Sequence, residues 1–140
     1  MERESLFRGK RKDNGQWSVG NLVISDDGIY DIVTGVTENP GNNGSYVWDE
    51  VIPETVGQFT GLCDKNGKKI FEGDIVKISV DYVDESEFSI QEVRWGKEGG
   101  YFCDEEFGFD FIPLLGNDDL ELEIIGNIYE SSHLLKDRNV

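Results

Sequence analysis

A chain of 140 residues and 15.8 kDa is the size of one ordinary domain, or of two very small β modules sharing a core. Its 37% apolar and 30% charged residues, with 11% aromatic, can close a core and exclude a disordered chain. Twenty-nine acidic residues against 13 basic ones leave a net charge of −16, which opposes non-specific attraction to nucleic acid or anionic lipid, and no apolar run reaches the roughly 18 residues of a membrane span.

Residues 1–12 are net +3 and contain no apolar signal-peptide core, so the sequence predicts neither secretion nor membrane insertion. Asn14-Gly15 lies between apolar segments and suits the left-handed dihedrals of a two-residue hairpin turn. Asn39-Pro40-Gly41-Asn42-Asn43-Gly44 is a cluster of breakers and is expected to be a surface loop. Seventeen Gly against three Pro agree with short strands joined by tight turns. The chain is read as an N-terminal β subdomain, residues 1–55, and a C-terminal one, residues 56–140, with one compact domain overall as the alternative.

The second part opens on the chain's most distinctive passage, Glu54 to Val76. Phe59 and Leu62 are expected to point inward, Asn66-Gly67 to reverse the chain, and Ile70-Phe71 to return along it. Glu72-Gly73-Asp74 then turns a corner into an alternating strand, Val76, Ile78, Val80 and Tyr82 against Lys77, Ser79 and Asp81. A strand, a tight hairpin and Gly-Asp-Ile-Val opening a long strand is how small SH3-like barrels often begin. Alternation recurs at Val93/Trp95, at Phe107/Phe109/Phe111 and at Leu120/Leu122/Ile124, with a hairpin at Lys97-Glu98-Gly99-Gly100. No stretch keeps a helical period, and Ser131 to Leu135 could form one helical turn. The fold class is therefore all-β: a small antiparallel SH3-like barrel in the C-terminal part beside an N-terminal β subdomain.

Phe7-Arg8-Gly9, Asp13-Asn14-Gly15 and Gly20-Asn21-Leu22-Val23 are echoed by Phe59-Thr60-Gly61, Lys65-Asn66-Gly67 and Gly73-Asp74-Ile75-Val76. Duplication and coincidence in a Gly-rich chain both account for this.

The opening Phe7-Arg8-Gly9-Lys10 and Trp17–Val23 resemble the YopX-like family of phage and prophage proteins. So do the Thr55–Val76 passage, Val93-Arg94-Trp95 and the ending Ile124 to Glu130. Cys63 departs from that pattern, where relatives more often carry a charged residue, so a role for its thiol is doubtful. The resemblance carries over no activity, cofactor or catalytic residue. It implies expression in the host bacterial cytoplasm and self-association. Gly57, Thr60, Gly61, Asp64, Asn66, Gly67, Gly73, Asp74, Gly126 and Asn127 are read as the structural motif.

Chemical signatures are missing. No phosphate-binding Gly pattern and no serine elbow occurs, and two cysteines with the distant His133 do not give zinc spacing. Without a secretion signal, Cys63 and Cys103 read as reduced, partly buried thiols. Asp104, Glu105, Glu106 and the Asp118-Asp119 pair are expected by chance among 29 acids, and neighbours on a strand point to opposite faces. Catalytic residues, cofactors and metals are accordingly none. From Ile78 to Leu135, fifteen acids face two bases, about −13. That excess is a solvated surface or, more sharply, a mimic of the phosphate backbone that docks on a basic partner. Trp17, Trp48, Trp95, Tyr46 and Tyr101 belong mostly to the core, and any left exposed would mark a protein-binding patch.

The reading is a non-enzymatic phage accessory protein that binds another host or phage protein and itself. An acidic inhibitor of a nucleic-acid-binding protein and a virion or assembly component are the alternatives. Interface candidates are Asp81, Asp84, Glu85, Glu87, Gly99 and Gly100, together with the Asn66-Gly67 hairpin.

Overall fold

The computed structural model describes residues 6–37, 45–80, 88–96, 100–104, 109–110 and 120–136. Nearly everything in them is strand: β1 (Phe7–Lys10), β2 (Trp17–Ile24), β3 (Tyr30–Thr37), β4 (Ser45–Glu50), β5 (Gly57–Cys63), β6 (Lys69–Phe71) and β7 (Asp74–Val80). After these come β8 (Phe88–Glu92), β9 (Arg94–Gly96), β10 (Gly100–Asp104), β11 (Phe109–Asp110) and β12 (Leu120–Asn127). A 3-10 turn at Pro53–Thr55 and a four-residue helix α1 (His133–Lys136) complete the elements. The all-β expectation holds, including the single helical turn near the C-terminus. No helix among the described residues is long and apolar enough to cross a membrane.

Two compact units divide the chain, Met1–Phe59 and Thr60–Val140, with the boundary inside β5. In the first, β1 to β4 form an antiparallel meander in order β4-β3-β2-β1, and the start of β5 pairs on β1 (Phe7↔Gln58, Arg8↔Gly57). Two features curl this sheet. β3 bulges between Val33 and Gly35, and the end of β4 returns to β1 through an isolated Arg11↔Val51 bridge. Lys12 N–H donates to the Glu50 carbonyl (3.1 Å) and Ile52 N–H to the Lys10 carbonyl (2.8 Å). Ile32 and Val51 are fully buried, with Gly9 set directly against Val51.

The second unit contains two three-stranded antiparallel sheets, ordered β12-β7-β8 and β11-β10-β9. Its core is Ile70, Val76, Val93 and Leu122, lined by Leu62, Ile78 and Ile124. Among the described residues these sheets do not close into a barrel; curling by a strand returning to the first belongs to the first unit instead.

Alternation succeeded along β12 and failed at Val93. Val93 is fully buried and Trp95 is 54% exposed, although they are two residues apart. The chain breaks strand geometry between β8 and β9: Val93 N–H donates to the Asp74 carbonyl (2.9 Å), and Gly73 N–H donates to the Val93 carbonyl (2.9 Å). A residue that bonds to a corner rather than to a ladder no longer obeys the two-residue period.

Both Asn-Gly turns are present but longer than two residues. Among the described residues none other than glycine has positive φ, so neither turn takes the all-left-handed two-residue form; in these turns Gly15 (φ 72°) and Gly67 (φ 81°) supply the left-handed position. In the first, Arg11 N–H donates to the Gln16 carbonyl and Gly15 N–H to the Arg11 carbonyl. In the second, Asp64 N–H donates to the Lys68 carbonyl and Gly67 N–H to the Asp64 carbonyl. The Asn39–Gly44 loop lies outside the described residues.

Candidate functional site

Most of the motif residues, Asp64 to Gly67, Gly73-Asp74 and Gly126-Asn127, meet along β12 in the second unit. Asp64 Oδ1 accepts the N–H groups of Asn66 and Lys68, each at 2.9 Å, which shapes the turn. Its Oδ2 accepts Ile124 N–H (3.0 Å), and Lys65 N–H donates to the Leu122 carbonyl (2.8 Å), so the turn is stapled to β12. Burial pushes the Asp64 carboxyl up, but the Ile124, Lys68 and Asn66 amides and the Lys68 charge together outweigh it and hold it below the ordinary carboxylate value. Lys65 reaches Glu123 (3.4 Å) and Glu121 (3.9 Å) across the same strand. Thr60, also buried, donates its hydroxyl to the Ile70 carbonyl (2.8 Å) and joins β5 to β6.

Asp74, 1% exposed, accepts Phe71 N–H (2.8 Å) and thereby folds the Glu72-Gly73 corner back on itself. Gly73 sits at φ 95°, and a Cβ there would lie 3.1 Å from the Tyr129 ring. Its carbonyl accepts Ile128 N–H (2.9 Å). Asn127 Oδ1 accepts Tyr129 and Glu130 N–H, both at 3.0 Å, and Gly126 packs against Ser131 and Leu134. The central passage and the C-terminal ending thus form a single joint, in which polar side chains satisfy backbone amides. Gly73→Ala is expected to lose about 2 kcal/mol in urea unfolding, from left-handed strain added to the tyrosine contact. Gly61 (φ 91°) lies at an exposed position of β5, whereas Gly57 is buried where β5 pairs with Arg8.

Of the interface candidates, Gly100 opens β10 opposite Gly96, while Asp81, Asp84, Glu85, Glu87 and Gly99 lie outside the described residues. So do Glu105, Glu106 and the Asp118-Asp119 pair. Cys63 is exposed rather than partly buried, because it ends β5 on an open position. His133 starts α1 and is exposed.

The first unit contains what composition did not reveal. The register Asn21↔Val33↔Trp48 puts Trp17, Val19, Val23, Val33 and Trp48 on one sheet face, opposite the face of Ile32 and Val51. On that open face Val19 is 43% exposed, Trp48 49% and Tyr46 63%, and the Tyr46 and Trp48 rings meet edge to face at 6.1 Å. Arg8 lies over the Trp17 ring at 4.8 Å. Tyr46, Trp48 and Trp95 are therefore surface residues, against the expectation that most aromatics are core. The signal lay in Tyr46-Val47-Trp48: three large residues in a row place apolar groups on both faces of a strand, and only one face can be buried.

Beside Trp48 the sheet ends in an ionic cluster. Arg11 donates to both carboxylate oxygens of Asp13 (3.0 and 2.8 Å) and approaches Asp49 (3.6 Å), and Lys12 pairs with Glu50 (2.8 Å). Asp49 also accepts the buried Ser18 hydroxyl (2.7 Å). The hydrogen bond that Arg11 donates to Asp13 raises its pKa, and the one Lys12 donates to Glu50 raises that of Lys12, so both cations stay charged at any working pH. With Trp48 these groups line a shallow open depression of about 280 Å³. Its two cations are paired with three carboxylates, which leaves one net negative charge, and among the described residues no group of three His, Cys, Asp or Glu is placed to hold a metal.

The family model described as YopX protein matches residues 6–136, which takes in both the aromatic sheet and the joint at Asp64. The chain belongs to the YopX family. The crystal structure of protein EF1440 from Enterococcus faecalis is similar in fold, with a TM-score of 0.63 at 25% sequence identity, covering 96% of this chain and 99% of that one. No curated protein matches. The YopX match therefore spans the Asp64 joint from end to end, because both its halves, Thr55–Val76 and Ile124–Glu130, fall within residues 6–136.

Proposed function

We propose that this YopX-family chain is a phage accessory protein of the host cytoplasm that has no enzymatic activity and acts by binding protein, including copies of itself. The observation that carries the reading is where apolar surface is left open. Of eight exposed large hydrophobic residues among those described, seven lie on or between β2, β3 and β4: Val19, Val23, Ile24, Ile29, Tyr46, Val47 and Trp48. Val19, Val23, Tyr46 and Trp48 share the open face, whereas Ile24 and Val47 alternate to the other; apolar groups left exposed on one face are typical of interaction sites, and Trp and Tyr dominate binding energy there. A non-enzymatic role is supported by how the acids are used: buried Asp64 and Asp74 direct oxygens to backbone amides, and Asp13, Asp49 and Glu50 around the open depression are engaged by Arg11 and Lys12.

Charge favours the same surface for self-association. Met1–Phe59 carries five basic and ten acidic residues, Thr60–Val140 eight and nineteen, so the first unit repels a second copy less. In sedimentation equilibrium the weight-average mass is expected to rise above 15.8 kDa with concentration. Trp48→Lys is expected to weaken association about 30-fold, the effect of removing a hot spot of roughly 2 kcal/mol. A mass that stays monomeric across the whole range overturns the reading.

A further inference from the structure

Among the described residues, the outer edge of β4 offers both main-chain groups at two positions. Val51 N–H donates toward β3, to the Tyr30 carbonyl (2.9 Å). Alternation along an antiparallel strand then turns Asp49 and Val47 the same way and leaves Tyr46, Trp48 and Glu50 facing outward. The Glu50 carbonyl is taken by Lys12 N–H where the Arg11↔Val51 bridge forms. Tyr46 and Trp48 remain, with no Pro and no Lys in the strand to guard them.

Resting on the self-association reading above, we propose that two copies join β4 to β4, antiparallel, about a two-fold axis through Val47. This register alone lets each copy use both outward residues and neither Glu50. Tyr46 pairs with Trp48 of the second copy and Trp48 with its Tyr46, giving four N–H···O bonds in two hydrogen-bonded pairs. The aromatic side chains then sit beside one another on the open face, extending the edge-to-face contact already made within each chain. Charge fits the same register: Asp49 falls opposite Ser45, so the acidic ends of the two strands are kept apart. The other occupant such an edge could take, an extended segment of a different protein, would leave the isolated chain monomeric.

Val47 would face Val47 as a non-hydrogen-bonded pair with Cα atoms about 4.5 Å apart, within disulfide range. Val47→Cys is therefore made in a Cys63→Ser, Cys103→Ser background, with Val19→Cys as the control on the open face two strands away. Diamide is the oxidant and takes the two electrons and two protons as two thiols become one disulfide. Covalent dimer is expected to form at least about tenfold faster from Val47→Cys than from Val19→Cys, as tethering at a paired site raises the effective concentration. A dimer by sedimentation that Val47→Cys fails to cross-link overturns the β4 pairing and leaves self-association standing. A monomer by sedimentation overturns both.

Discussion

Asp64→Ala is expected to lower the stability of the second unit by about 3–4 kcal/mol, read as a fall in the urea midpoint at pH 7. Three backbone N–H groups, from Asn66, Lys68 and Ile124, all end on this one carboxylate. A hydrogen bond to a charged acceptor contributes roughly 1.5–3 kcal/mol, and a buried donor left without one adds its desolvation. Exposed Asn66 and Lys68 amides recover water, whereas the Ile124 amide, inside the β12 joint, does not. The same carboxylate gives the protein an acid limb. Because its folded pKa lies below the ordinary 3.8, the contribution is fully present above that value and is lost as pH falls through the folded pKa. Asp64→Ala should thus flatten stability against pH below about 4 while leaving the slope above pH 5 unchanged. An unchanged urea midpoint would show that the turn and β12 hold together without the staple.

How far the sequence foretold the molecule differs between the two units. Strand identity was legible wherever one face is wet: Leu122 goes in and Glu121 and Glu123 meet Lys65, as alternation requires. The Asp64 turn was legible as a turn, since Asp and Asn favour such reversals whatever surrounds them. That its carboxylate also binds Ile124, sixty residues away, was not, because a long-range hydrogen bond leaves no local period. The aromatic edge was misread for a related reason. Tyr46 and Trp48 look like core residues by type, and only the pairing Val33↔Trp48, with β4 outermost on β3, shows that no described strand lies beyond them. Burial is a property of neighbours, and neighbours are set by topology rather than by composition. The Arg11–Asp49 pair belongs to the same class, closing only once four strands have curled.

That curl depends on Gly20, and Gly20→Ala is expected to cost about 3 kcal/mol or more. A Cβ built there would overlap the Val33 carbonyl oxygen, a contact with backbone that no rotamer relieves. The geometry has a cause: Val33 is the last paired residue before the β3 bulge, and the bulge bends β3 over β2 at this point. Bulge and glycine together are the usual device for coiling a sheet tightly, one strand bending and the other giving up its side chain. Gly35→Ala, on the other side of the bulge with open space around it, is the matched control and should change stability by less than about 1 kcal/mol. The two variants differ by the same single methyl group, so thermal or urea unfolding separates close approach from glycine's flexibility. If Gly20→Ala folds with undiminished stability, β2 and β3 are not pressed together, and the return of β4 to Arg11 needs another explanation. If it unfolds the first unit, self-association should be lost with it, since Tyr46 and Trp48 are held at the edge by the β3 they pair with.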